Sequence, residues 1–243
     1  FVKLKEGLSF KDAVEARARR FGVPLPDTRE ESPEDRLRAE LEPVLEAAAA
    51  QYEQFLWADA GRRARDYLKG RKFSEKTLRA IRAGAARDAW EDLMRALKVQ
   101  FREDLIEKAG LAVRGQRGLY DRFRNRAMFP ILSDRGRVVA FGARALDPAD
   151  EPKYLNSPEG PVYQKSRTLY GLSWAKEEIR KSGRALVMEG YLDVARAIEA
   201  GILSAVAPCG TALTSQQARL LKRQASRAVL CFDGDDAGVK ATK

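Results

Sequence analysis

The spacing of apolar residues changes character twice along the chain. In the first regime Leu37, Leu41, Val44, Leu45, Ala48, Tyr52, Phe55 and Leu56 recur at three- and four-residue steps, which predicts a helix with one buried stripe. Gly61 predicts an interruption, 63–68 a second helical piece, and Ser74 the N-cap of a third over 75–81. A further helix is predicted over 90–109, with Leu93, Leu97, Phe101, Leu105 and Ile106 on one face. Residues 36–110 therefore read as helical. In the second regime 128–132 and 138–146 read as two strands around the turn Asp134-Arg135-Gly136. The stretch 147–160 carries Pro148, Pro152 and Pro158 and predicts a loop without regular structure.

The third regime follows a predicted helix at 173–181. Short apolar runs at 185–188, 202–207 and 228–232 predict parallel strands buried on both faces, and two of them stop at acid: Glu189 after the first, Asp233-Gly234-Asp235 after the last. Between them, 193–200 has helical spacing and ends at Gly201, and Thr214-Ser215-Gln216-Gln217 has the spacing of a capping box opening a second helix. Strand, helix, strand, helix, strand implies parallel strands whose carboxyl ends share one edge. The predicted class is α/β (α+β overall): a helical and mixed N-terminal part followed by a parallel βαβαβ sheet. Ahead of these, 9–21 reads as a helix ending at Gly22, and 27–35 (DTREESPED) as an exposed acidic linker.

Composition narrows the chemistry. The net charge of +10 favours a polyanionic partner. The absence of histidine excludes imidazole catalysis and His-based metal sites. Cys209 and Cys231 stand in apolar surroundings and read as buried reduced thiols, not a disulfide framework or zinc site. No apolar run is long enough to span a membrane and the start lacks a secretory pattern, so the expectation is a cytoplasmic protein with no membrane partner.

Two clusters carry candidate chemistry. Glu189, Asp193, Asp233 and Asp235 are predicted to meet at the carboxyl edge of the sheet, where ligands of open α/β folds bind. Crowded carboxylates raise one another's pKa unless a cation shares the site, and hard oxygens suit Mg²⁺ or Mn²⁺. Asp236 reads as a supporting carboxylate or an N-cap. The second cluster is basic. Arg122, Arg124 and Arg126 alternate, so on a strand they would share a face and form a rail for phosphates. Tyr120, Phe123 and Tyr154 lie among these charges, able to stack on bases or to fill the core.

EGYLDV, followed some forty residues later by DGDDAG, resembles the Toprim module of primases, topoisomerases and related nucleases. RFRNRAMFPILSDRGRVVAFGARAL and PKYLNSPEGPVYQKSRTLYGL are similar to the bacterial DnaG-type primase family, which makes RNA primers on single-stranded DNA. The resemblance implies template-directed primer synthesis from ribonucleoside triphosphates during replication, as a nucleotidyltransferase located in the cytoplasm at the nucleoid. It implies catalytic Glu189, Asp233 and Asp235, with Asp193 among the metal ligands. Template and nucleotide contacts are implied for Arg71, Arg122, Arg124, Arg144, Lys153, Asn156 and Lys165; Arg126, from the alternation, and Tyr154, from its place among the charges, are expected to join them. Arg71 matches the arginine of a YLxxRGLS turn, from which Lys72 and Phe73 depart. The implied organisation is 1–26 as the tail of a zinc-binding domain whose ligands are absent, 27–35 as linker, 36–183 as the basic subdomain, and 184–243 as a truncated Toprim domain. Zinc is expected only in that preceding domain. A third acidic cluster and the region that meets a replicative DnaB-type helicase are expected beyond Lys243. A Toprim-type nuclease or topoisomerase-like enzyme, and a catalytically silent single-strand-binding fragment, remain as alternatives.

Overall fold

In the computed structural model, the described residues are 32–210 and 212–234, with Ala18 and Phe21 ahead of them. The expected linker at 27–31, most of the helix at 9–21, and Asp235 and Asp236 lie outside the described residues. The chain forms two units, 1–36 and 37–243. In the first, the Ser32 hydroxyl accepts from the Asp35 N–H at 3.1 Å and so caps α1 (Pro33–Trp57). The helix thus starts inside the segment expected to be linker.

In the second unit, α2 (Arg62–Gly70) and α3 (Glu75–Ala80) follow, the latter capped by Ser74 as its sequence predicts. Then comes β1 (Gly84–Ala86), a strand inside the stretch expected to be wholly helical, paired antiparallel with a later strand. The single helix expected over 90–109 is two short ones, α4 (Asp92–Leu97) and α5 (Glu103–Lys108). The physical reason is distant in sequence: the buried Asp121 carboxylate accepts from the Leu93 and Met94 N–H groups at 2.8 and 2.9 Å, fixing where α4 starts. The second start is set locally, where Glu103 and Asp104 face the positive end of α5.

The ribbon β2 (Ala112–Gly115) and β3 (Gly118–Asp121) leads into β4 (Arg126–Leu132) and β5 (Val138–Ala145), the hairpin expected around Gly136. β6 (Tyr154–Asn156) adds to β5, so the proline-rich stretch does hold a strand; Pro152 and Pro158 bracket it rather than occupy it. These strands form an antiparallel sheet in the order β1-β4-β5-β6.

The second sheet has the order β10-β8-β9-β7. It is built from β7 (Leu169–Tyr170), α6 (Leu172–Ser182), β8 (Arg184–Met188), α7 (Tyr191–Glu199), β9 (Ala205–Pro208), α8 (Ser215–Lys222) and β10 (Arg227–Cys231). β10, β8 and β9 run parallel, as the crossovers require; β7 pairs antiparallel with β9. Burial on both faces fails for β10, an edge strand of the described sheet with all residues exposed, so Cys231 is exposed while Cys209 is buried. Ile202 and Leu203 likewise precede β9 and are exposed.

One aromatic residue joins the two sheets. Tyr191, first in α7, stacks on Phe129 of β4 and meets Tyr170 of β7 edge-on, with centroids 6.3 and 4.8 Å apart. Its ring lies so close to Gly142 of β5 that any Cβ there would collide with it. The start of α7 is therefore seated on the first sheet, which places the carboxyl edge of the second sheet beside β5 and β6.

Candidate active site and nucleic-acid interface

β8 and β10 are adjacent and in register, Met188 opposite Cys231, so the residues that follow them emerge side by side. The Asp233 N–H donates to Glu189 Oε1 at 2.9 Å. Both acids are exposed. Asp193, in the first turn of α7, is half-buried and accepts from the Gly190 N–H at 3.0 Å. Its pKa is raised, first by burial and then by the Asp233 carboxylate. Asp233 is thus brought to the same sheet edge as Glu189 and Asp193, which precede it by 44 and 40 residues. Among the described residues there is no group of three or more His, Cys, Asp or Glu side chains spaced to hold a metal ion. Glu189 and Asp233 offer hard oxygen donors to solvent, and repulsion at Asp193 is what a divalent cation would relieve, so the donor set fits Mg²⁺ or Mn²⁺.

The basic residues are placed differently from the alternating rail that their spacing suggests. β3 ends at Asp121, β4 begins at Arg126, and Asn125 between them has φ 51°, so Arg122, Arg124 and Arg126 share no strand. Arg122 donates to the Asn156 carbonyl through Nε and Nη2 at 3.3 and 3.2 Å. Arg126 is buried and donates to the Pro152 carbonyl at 2.7 Å. Burial lowers the pKa of both, although a guanidinium stays charged throughout the physiological range. These two arginines fasten the segment that carries exposed Lys153 and Tyr154. Arg124 donates to the Asp121 carbonyl at 2.6 Å and lies 4.2 Å over the ring of Trp90 and 5.1 Å from Tyr120. Trp90 is 64% exposed, so cation and ring form an open platform.

Arg71 and Arg144 come together on a residue that sequence reading passed over. Both donate through Nε to the Tyr67 hydroxyl, at 2.9 and 3.0 Å. Neither forms an ion pair with a described carboxylate. The Arg144 guanidinium also lies 4.7 Å over Tyr154, and its buried Nη1 has no partner. Tyr67 precedes Arg71 by four residues, so helical spacing in YLKGRKFS was the available signal. Asn156 accepts from the Tyr191 hydroxyl at 2.9 Å and donates to the Cys209 carbonyl at 3.3 Å, tying β6 to the second sheet. Lys165, half-buried, starts a short turn (Lys165–Arg167), its N–H held by Glu159 at 2.8 Å.

A further link joins the two clusters. At the far end of α7, Arg196 donates to the Arg71 carbonyl at 2.6 Å, and Glu199 accepts from the Ser74 N–H and hydroxyl, both at 2.9 Å. Those bonds hold its carboxyl below the ordinary range, with a bond from Thr77 the largest cause and those from Ser74 next.

Residues 51–176 match the family model described as DNA primase catalytic core, N-terminal domain, and 186–243 match Toprim-like. The chain is 40% identical over 249 residues to a DNA primase of Halalkalibacterium halodurans, covering 100% of this chain and 41% of the relative, so it spans under half of that protein. It is similar to the crystal structure of the RNA polymerase domain of Mycobacterium tuberculosis primase DnaG, with TM-score 0.79 and 39% identity over 84% of this chain and 69% of that one. The same domain in complex with a double-stranded DNA oligomer bearing a 6-nucleotide overhang gives TM-score 0.79 and 39% identity over 83% and 66%.

Proposed function

The chain belongs to the bacterial DnaG-type primase catalytic-core family, and from that premise we propose that it carries out template-directed synthesis of short RNA primers on single-stranded DNA. The observation that carries the reading is the approach of Asp233 to Glu189 at the ends of two parallel strands, on the edge next to the sheet that bears Arg144. Phosphodiester synthesis needs a 3′-hydroxyl made nucleophilic and a pyrophosphate whose charge is offset. Two divalent cations, when bound, would supply both. Asp233 and Asp235 are the principal ligands in this reading, Glu189 a ligand or the carboxylate that takes the hydroxyl proton, and Asp193 a support at the helix start. Lys153, Lys165 and Arg144 offset charge on the ribonucleoside triphosphate. Arg71, Arg122, Arg124, Arg126, Tyr154 and Asn156 form or brace the template trough.

The wider organisation is proposed on the same basis: 1–26 as the tail of a zinc-binding domain, 27–35 as linker, 36–183 as the basic subdomain and 184–243 as Toprim. A DnaB-type helicase is the proposed replication partner and the cytoplasmic nucleoid the proposed location. The test is Mg²⁺- or Mn²⁺-dependent incorporation of labelled ribonucleotides on single-stranded DNA. Primers that vanish with chelator support the reading. Cutting of the template would indicate a nuclease, and binding without incorporation a silent module.

A further inference from the structure

The second sheet carries a charged surface that neither the carboxylate edge nor the trough uses. Arg219 and Arg223 lie one turn apart on one face of α8 and its end, and from Gln216 to Arg227 the chain holds Arg219, Lys222, Arg223 and Arg227 but no acid. Arg219, Lys222 and Arg223 are exposed, and no described carboxylate pairs with them. Like charges at this spacing destabilise a helix unless an anion lies across them. Arg167, from the turn that begins at Lys165, faces the same stripe, its Nε donating to Gln216 Oε1 at 2.7 Å. Arg167, Gln216, Arg219, Leu220 and Arg223 line an open cleft of about 380 Å³.

The frame beneath it is tied down. Buried Gln217 donates to the Lys165 and Thr168 carbonyls, both at 2.8 Å, and the Thr214 hydroxyl donates to the Ser166 carbonyl at 2.7 Å. Ordering on binding is therefore confined to the arginine side chains. α8 follows β9, so it starts at the edge where Glu189 and Asp233 lie and runs back across the sheet.

We propose that this cleft is a second contact for the sugar–phosphate backbone of single-stranded nucleic acid, continuing the path of a strand that passes the carboxylate edge. It rests on the reading of function above. A row of exposed guanidinium groups, none aimed at a buried pocket, suits successive phosphates of a polymer better than one small anion.

The test is fluorescence anisotropy with labelled single strands of about 8 to about 30 nucleotides, chosen to fall short of and to exceed one binding site, on the unaltered chain and on Arg219→Gln/Arg223→Gln. Both positions are exposed, and thermal unfolding is expected to be unchanged. The double variant binds the shortest strand normally and the longest about fivefold or more weakly, with a salt slope shallower by about 1.4. Equal affinity at every length, or equal loss at every length, overturns the proposal. So does a poly-glutamate of matched charge that displaces the variant-sensitive part as well as DNA does, which would assign the cleft to an acidic peptide. An unaltered chain that binds no oligonucleotide overturns the reading of function and the cleft with it, whereas normal binding without the length-dependent loss overturns the cleft alone.

Discussion

The Glu189 carboxylate accepts from the backbone of Asp233 across 2.9 Å, bridging two strand ends 44 residues apart in the chain. One of its oxygens is thereby held in place while the other stays free for chemistry. Glu189→Gln keeps an acceptor for that N–H and removes only the charge. The expected outcome is primer synthesis reduced by about two orders of magnitude or more, with single-strand affinity within a few-fold by anisotropy. Joint loss of binding and activity would mean that the residue is structural.

Tyr67 sets the spacing of Arg71 and Arg144 by accepting from both. Tyr67→Phe removes the hydroxyl that accepts from both arginines and keeps the ring. Both Nε donors thereby lose their acceptor.

With the Tyr67 hydroxyl gone, the Arg71 and Arg144 side chains are no longer held to a common acceptor. The expected outcome of Tyr67→Phe is single-strand affinity about three- to tenfold weaker, the scale of a lost hydrogen bond or two. Both guanidinium charges remain, so the salt slope is unchanged. Arg144→Ala should flatten that slope by about 0.7. Anisotropy titrations at several salt concentrations separate positioning from charge.

Trp90 presents its ring to solvent beneath Arg124. Trp90→Ala should cost single-strand binding about 1–3 kcal/mol if one base stacks there. Its salt slope should match that of the unaltered chain, since no cation is lost. Unchanged affinity would remove the platform from the interface.

Glu199 carries a testable pH dependence. Its folded-state pKa is lowered, so its contribution to stability is present above the unfolded value, about 4.3, and is lost as pH falls through the folded value. Urea unfolding at neutral pH and in the acid range should show Glu199→Gln destabilised at the former, with the gap to the unaltered chain closing at the latter. A gap that is constant with pH would exclude the linkage.

What was legible in the sequence was what is decided locally. The capping box at Thr214 and Gln217 forms as its spacing predicts, and the alternation of strand and helix from 184 onward gives the parallel strands. Remote partners were not legible. The break in the helix expected over 90–109 depends on Asp121, 27 and 28 residues away from the N–H groups it accepts. The spacing of Arg122, Arg124 and Arg126 implies a shared face only on a strand, and a left-handed Asn125 removes the strand. The acids were nominated from where apolar runs stop, and the structure brings Glu189, Asp193 and Asp233 together. Tyr67 and Trp90 were missed because neither is charged, although each organises a charge beside it.

Helix α7 acts as a ruler. Asp193 stands at its start and Glu199 at its end, roughly 9 Å apart at 1.5 Å per residue. Its last turn grips the loop of Arg71 and its first turn stands at the acidic edge. The interval between the loop of Arg71 and the acidic edge is thus set by a rigid rod and not by a pliable loop. Lengthening that rod by one residue would rotate one end by about 100° against the other, turning the Arg71 loop away from the acidic edge while leaving each intact.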